Sequence, residues 1–220
     1  MSRCLSVDVY FDFICPWCLI GKRQLEHAQV QFRSRNPDVQ ITTVWHGVQL
    51  LTHLPVEGEP FADFYRKRLG NADAVTMRQA QVQQAAGAVG LTLDLSQIQT
   101  MPNTADAHRL FERVSELGNA TQREMLLERL FAAYFRKGEN LGCRDTLLDI
   151  ARSCGVDTDG VLDCLKGDGT PFEGSPNATS GVPSFQFDGR MTVIGAQPAQ
   201  ALLGAMSEAL KESERERQSA

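Results

Sequence analysis

Residues 7–28 read VDVYFDFICPWCLIGKRQLEHA. Val7, Val9, Phe11 and Phe13 alternate with Asp8, Tyr10 and Asp12, the period of a β-strand, so a strand is expected over Leu5–Phe13. Past Cys15, Pro16, Trp17 and Cys18 the period changes. Cys18, Gly21, Leu25, Ala28 and Phe32 fall on one helical stripe, which must stop before Asn36 and Pro37 because proline disfavours helical backbone in the residue ahead of it. Val39–Trp45 returns to strand character. The opening is therefore strand, helix, strand, with the Cys pair at the first strand-to-helix junction. A helix between two strands makes a parallel crossover the natural pairing.

The middle of the chain is helical. Pro60 fits a first helical residue ahead of Phe61, Phe64, Tyr65 and Leu69. A polar, Ala- and Gln-rich helix is expected from Asp73 to about Val89. Thr104 begins another, with Ala107, Leu110, Phe111, Val114 and Leu117 on its stripe and Gly118 at its end. Thr121 and Glu124 have capping-box spacing ahead of Leu127, Leu130, Phe131, Tyr134 and Phe135. Short helices ending at Gly155 and Gly167 follow, then a Gly/Pro/Ser/Thr-rich loop to Gly181. Pro183–Phe187 and Met191–Ile194 read as strands joined by Asp188 and Gly189, a hairpin signal. Pro198 opens a last helix carrying Ala201, Leu202, Ala205, Met206, Ala209 and Leu210 on one face.

The order resembles a thioredoxin fold: an α/β architecture with a large all-α insertion between its βαβ and ββα halves. The expected boundaries are 1–55 and 180–212 for the thioredoxin-like domain, 56–179 for the helical insertion, and 213–220 for a charged, frayed tail. The 220 residues are 42% hydrophobic and 22% charged, an ordinary globular balance. A net charge of -5 argues against bulk binding to nucleic acid or anionic membranes. No stretch is apolar enough to span a bilayer, and the N-terminal segment reads as a strand rather than a secretory leader, which points to the cytoplasm. In that reducing compartment a close pair among the six cysteines is catalytic or metal-binding before it is structural.

The start of a helix suits thiol chemistry. A thiolate is the nucleophile of disulfide exchange, and unpaired backbone N–H groups with the positive dipole end favour an anion there. Cys18 lies one turn past Cys15, and Pro16 sits where its missing N–H costs little. Cys15 is thus read as the attacking thiol and Cys18 as the resolving one. A zinc site would need a second pair of ligands, and Cys143, Cys154 and Cys164 lack that spacing, so no metal is expected. Those three are read as buried apolar thiols. Pro183 enters a strand without a ladder donor; a cis bond in a tight turn is one explanation, an ordinary strand-start proline the other. Asp12, three residues before Cys15, is a candidate proton acceptor for Cys18 or a satisfied turn carboxylate. Trp17 either exposes its ring to an apolar substrate or packs locally. His46 stands where a strand-end loop could line a groove, His108 on a helix face. Lys22 and Arg23 either raise the local potential or lie at the surface.

Residues 7–28, the segments NTADAHRLF (103–111) and LFAAYFRKGENL (130–141), and SGVPSFQFDGRMTVIGAQP (180–198) together resemble the DsbA-like thioredoxin superfamily, and within it the FrnE-like branch. The similarity runs over roughly residues 5–210. It implies a cis peptide at Pro183 facing the Cys pair, with Val182 and Pro183 holding substrate by strand addition and Pro16 and Trp17 beside it. It also relates the chain to 2-hydroxychromene-2-carboxylate isomerases and kappa-class glutathione transferases, in which a serine replaces the first cysteine. By that likeness glutathione could enter as co-substrate beside Val182, with Ala196 and Gln197 contributing. After the second strand, relatives resemble WRPFELNP where this chain has Trp45 to Thr52 as WHGVQLLT.

The expected function is a cytoplasmic thiol–disulfide oxidoreductase acting on protein, peptide or glutathione mixed disulfides, with no resident cofactor. A glutathione-dependent isomerase or transferase acting on a small aromatic or polyketide-like molecule stays open as the alternative. A chaperone-like peptide binder is the second. Apolar helix faces in the insert admit a homodimer.

Overall fold

The computed structural model describes residues 3–174 and 181–219, with side chains to 216; positions 175–180 of the expected loop, including the expected boundary at 180, lie outside the described residues. In chain order the elements are β1 (Arg3–Phe11), α1 (Pro16–Arg35), β2 (Val39–Gly47), β3 (Glu59–Pro60), α2 (Phe61–Leu69), α3 (Ala72–Gly87), β4 (Thr100–Met101), α4 (Ala105–Leu117), α5 (Ala120–Lys137), α6 (Arg144–Ser153), β5 (Ser184–Phe187), β6 (Met191–Ile194) and α7 (Ala199–Ser219). This is the α/β fold with a helical insertion. The described residues divide into two compact units. One comprises the chain up to Val48 and from Gly181 on, the other Gln49–Gly174.

The first unit is a mixed four-stranded sheet, ordered β2-β1-β5-β6. β1 and β2 run parallel in register from Arg3 opposite Val39 to Phe11 opposite Gly47. β5 returns antiparallel to β1, with Tyr10 opposite Ser184. One face of β1 and β5 presents Leu5, Val7, Val9, Phe185 and Phe187 to Leu25, Ala28 and Phe32 of α1 and to Leu202, Met206, Ala209 and Leu210 of α7. That packing explains the alternation read from the sequence. At the hairpin, Asp188 (φ 49°) and Gly189 (φ 68°) both take positive φ, as a two-residue turn between twisted strands requires. The Asp188 carboxylate accepts hydrogen bonds from the Ser6 N–H (2.7 Å) and the Ser213 hydroxyl (2.7 Å), tying the hairpin to β1 and α7.

The tail at 213–220 differs from expectation: α7 continues through Ser219. Its charges have distant partners rather than water alone. Glu216 pairs with Arg190 at the hairpin (Nη2–Oε2 2.7 Å), and Glu214 with Arg3 at the start of β1.

The second unit packs α4, α5 and α6 through Leu110, Phe111 and Val114, Leu127, Leu130, Phe131 and Tyr134, and Leu147, Ile150 and Ala151. It also contains a two-residue antiparallel ribbon, β3 with β4, too short for periodicity to reveal. The capping box lies two residues before the expected Thr121 and Glu124. The Asn119 side chain accepts from the Gln122 N–H (2.9 Å), and the Gln122 side chain accepts from the Asn119 N–H (3.2 Å). The short helix expected to end at Gly167 is only a 3-10 turn, Leu162–Cys164. Side chains from elsewhere take its backbone groups: Arg144 donates to the carbonyls of Leu165 (2.8 Å) and Leu162 (3.1 Å), while Asp106 accepts from the N–H groups of Lys166 (3.0 Å) and Gly167 (2.8 Å). Asp106 also pairs with Arg109 (2.6 Å), which donates to the carbonyl of Pro171 (2.9 Å). This buried ion pair is therefore committed to holding the 166–171 segment.

Candidate active site

β1 ends at Phe11 and the chain turns through Asp12, Phe13 and Ile14 into α1. The Cys15 N–H donates to the Asp12 carbonyl (3.1 Å), and the Cys18 N–H to the Cys15 carbonyl (3.0 Å). Cys15 takes the N-cap position in extended conformation (φ -86°, ψ 108°), and Pro16 is the first helical residue. The fixed φ of proline suits that position, and the N–H it lacks would have been one of the helix's orphans. Cys15 is mostly buried at 7% exposure, whereas Cys18, one turn deeper, is sealed at 1%. Pro16 and Trp17 are half-buried.

The depth of Cys18 has an electrostatic consequence. Burial pushes its thiol well above the ordinary range; the contact with Cys15 and then its charge push in the same direction. A hydrogen bond with the Asp12 backbone pulls the other way, and the Asp12 charge adds to the rise. Desolvation of this kind always opposes the charged form. Asp12 is itself fully buried, and its Oδ1 lies 3.4 Å from the Ile14 nitrogen. Asp12 is thus shut away from solvent but within electrostatic reach of Cys18.

The second wall comes from the other end of the chain. The Val182–Pro183 peptide bond is cis. Pro183 is buried and Val182 half-buried. The Cys15 sulfur lies 3.9 Å from the Val182 carbonyl oxygen. Pro183 is held by its own carbonyl, which accepts from the Gly195 N–H (2.7 Å) in the loop after β6. Ala196 and Gln197 follow in that loop, Ala196 half-buried and Gln197 exposed, with the Gln197 amide donating to the Ile194 carbonyl (3.1 Å). Thus Cys15, Cys18, Asp12, Val182 and Pro183 meet at one end of the sheet. Ala196 and Gln197 follow Gly195, whose N–H holds the Pro183 carbonyl.

Other residues fall elsewhere. His46 lies against Asp8 and Tyr10: its Nε2 is 2.7 Å from Asp8 Oδ1 and its ring stacks on Tyr10 at 4.9 Å. His108 is buried and stacks on Phe172 at 5.2 Å. Lys22 is no surface charge at 1% exposure. It pairs with Glu26 and lies 5.8 Å from the Trp45 ring centre. Cys143 departs from the expected buried thiol. It is exposed at the N-cap of α6, where the Thr146 N–H and then its hydroxyl hold the thiol below its ordinary range. A cap residue precedes the helix and escapes its apolar stripe. Cys154 is buried and Cys164 half-buried, burial raising the first and pushing the second up to about 11.

A family model described as a DSBA-like thioredoxin domain matches residues 6–207. Among curated proteins, the uncharacterized protein YwbO of Bacillus subtilis is 24% identical over 153 residues, 70% of this chain and 68% of the relative. Among solved structures, a probable DsbA oxidoreductase from Streptomyces coelicolor superposes with a TM-score of 0.80 at 24% identity, covering 94% of this chain and 91% of the other. The cytosolic disulfide reductase DsbM from Pseudomonas aeruginosa, solved with GSH, superposes with a TM-score of 0.57 at 14% identity, covering 97% of this chain and 99% of the other.

Proposed function

The chain belongs to the DSBA-like thioredoxin domain family, and from that membership we propose that it is a thiol–disulfide oxidoreductase whose redox couple is Cys15 and Cys18. The observation that carries the reading is the asymmetry of the pair. Cys15 stands at the tip of α1 beside the Val182 carbonyl, and Cys18 is sealed behind it with its proton held tightly. A helix N-terminus stabilises negative charge, so the nucleophile belongs at Cys15.

The Cys15 thiolate attacks one sulfur of a substrate disulfide R–S–S–R′. The S–S bond breaks, R′S⁻ leaves and takes up a proton, and a Cys15–S–S–R mixed disulfide forms. Cys18 then loses its proton, with Asp12 the buried acceptor at hand, and attacks the Cys15 sulfur. RS⁻ departs, and Cys15 and Cys18 are left as a disulfide, two electrons having passed to the substrate. Two molecules of a thiol such as glutathione restore the dithiol and become a disulfide themselves. Val182, with Pro183, Pro16 and Trp17 around it, supplies the seat for the substrate chain through backbone hydrogen bonds. Ala196 and Gln197 flank the same seat. Glutathione as co-substrate and a cytoplasmic setting are supported by the likeness to DsbM, a cytosolic reductase solved with GSH. No helix among the described residues is long and apolar enough to cross a membrane.

The test is turnover of a peptide disulfide with glutathione as reductant. Cys15→Ser is expected to lose turnover entirely. Cys18→Ser is expected to accumulate the Cys15 mixed disulfide, visible by mass spectrometry. Full turnover in Cys15→Ser would remove this mechanism.

A further inference from the structure

The geometry points to Gly21 as the residue that sets the width of the gap between α1 and the Val182–Pro183 segment, and hence the fit of an extended peptide beside Cys15. The inference rests on the proposed seat at Val182 and adds to it a specificity-determining position.

Gly21 lies in the body of α1, where alanine would be the better helix former. Its backbone φ is ordinary, so no turn demands glycine. What demands it is proximity. A methyl at Gly21 would stand 2.9 Å from Phe185 Cζ, 3.1 Å from Pro183 Cγ and 3.4 Å from Pro183 Cβ. Optimal carbon separations are about 3.5–4.0 Å, so the first two contacts are repulsive.

The displacement has one easy outlet. Phe185 is fully buried in β5, paired with Val9 on one side and Val193 on the other. α1 is tied to the start of α7, where Gln24 Oε1 accepts from the Ala199 N–H (2.8 Å). The Pro183 carbonyl is tied to Gly195 (2.7 Å). Val182 is only half-buried, and before it comes exposed Gly181 in the left-handed region (φ 86°), with no atom within 4 Å of where a Cβ would stand. A wedge at Gly21 therefore moves Val182, whose carbonyl is 3.9 Å from the Cys15 sulfur. The α1 tip itself, four or more residues away, keeps its own hydrogen bonds. Gly21 acts on the seat and leaves in place the backbone hydrogen bonds that position Cys15.

The experiment uses the full chain in a Cys18→Ser background and two activated disulfides with the same aromatic thiol leaving group. One carries a short peptide with amides on both sides of its cysteine, the other carries mercaptoethanol. Adducts at Cys15 are counted by mass spectrometry, and the ratio of the two rate constants is the readout. The parent is expected to favour the peptide at least tenfold. Gly21→Ala is expected to cut that ratio at least fivefold, while the mercaptoethanol rate stays within twofold. Adding Phe185→Leu, which removes Cζ, is expected to restore most of the ratio. An unchanged ratio in folded Gly21→Ala overturns the role of Gly21 and leaves the seat standing. A parent without preference overturns the seat and Gly21 together. Equal falls in both rates assign the effect to Cys15 and overturn the inference. Should Gly21→Ala alone not fold, Phe185→Leu with and without it carries the comparison. In that background Gly21→Ala is expected to keep the ratio within twofold and the bulkier Gly21→Val to cut it at least fivefold; equal ratios for the two overturn the spacing role.

Discussion

Cys18 links the chemistry of the site to the stability of the fold. Its proton is held more tightly in the folded dithiol than in an unfolded chain, where a thiol titrates near 9.0. Above that value the unfolded chain releases a proton that the folded protein keeps. The stabilisation is therefore complete below about pH 9 and is lost as pH rises through the folded value, at most by about 1.4 kcal/mol per pH unit for one proton. Thermal midpoints of the reduced protein across alkaline pH should fall more steeply for the wild type than for Cys18→Ser. Cys164, raised by burial too, is present in both and cancels from the difference. Asp12 belongs to the same scale. If Asp12 is the proton acceptor proposed for the second step, Asp12→Asn should lengthen the life of the mixed disulfide, by roughly 10²-fold on the usual worth of a positioned base. The rate of first attack should hardly change, and stopped-flow trapping of the intermediate separates the two steps.

The β5–β6 hairpin is the element on which the first unit closes. Asp188 holds a positive φ that few side chains accept, and its carboxylate reaches both β1 and α7. Asp188→Ala gives up those hydrogen bonds and strains the turn, and should lower stability by about 2 kcal/mol in denaturant unfolding, whereas Asp188→Asn, at home in such turns, should lose less. The turn itself was legible, since Asp-Gly between apolar runs is a local signal. So were β1 and α1, where the period shifts from two to about 3.6 at the Cys pair. The reach of Asp188 to Ser6 and Ser213 was not, because partners so far apart in sequence leave no local trace. The same reason hid the course of α7, whose charged end looks solvated until Arg3 and Arg190 are set beside it. At the candidate site, the Cys pair could be read from residue types and position, whereas the cis bond at Pro183 and its place beside the pair came from the family resemblance, since the residues alone left an ordinary strand-start proline open. The crowding at Gly21 could not, because a helical stripe says which face is buried but not how closely a neighbour approaches.

At the scale of the molecule, the sheet is assembled from two ends of the chain. β1 must find β5 across the whole of Gln49–Gly174, while α4, α5 and α6 pack on near neighbours in sequence. Local contacts form faster than distant ones. Pulse-labelled hydrogen exchange during refolding should therefore show α5 amides protected before those of β1 and β5; simultaneous protection would mean that the sheet does not wait for its late strands. The site inherits this geometry. Its two sulfurs are translated early, and the carbonyl that faces them arrives only with residue 182. A growing polypeptide on the ribosome thus carries the two cysteines before the segment proposed to seat a client has been made. On the proposed reading, competence waits for residue 182 to join the sheet beside the two sulfurs.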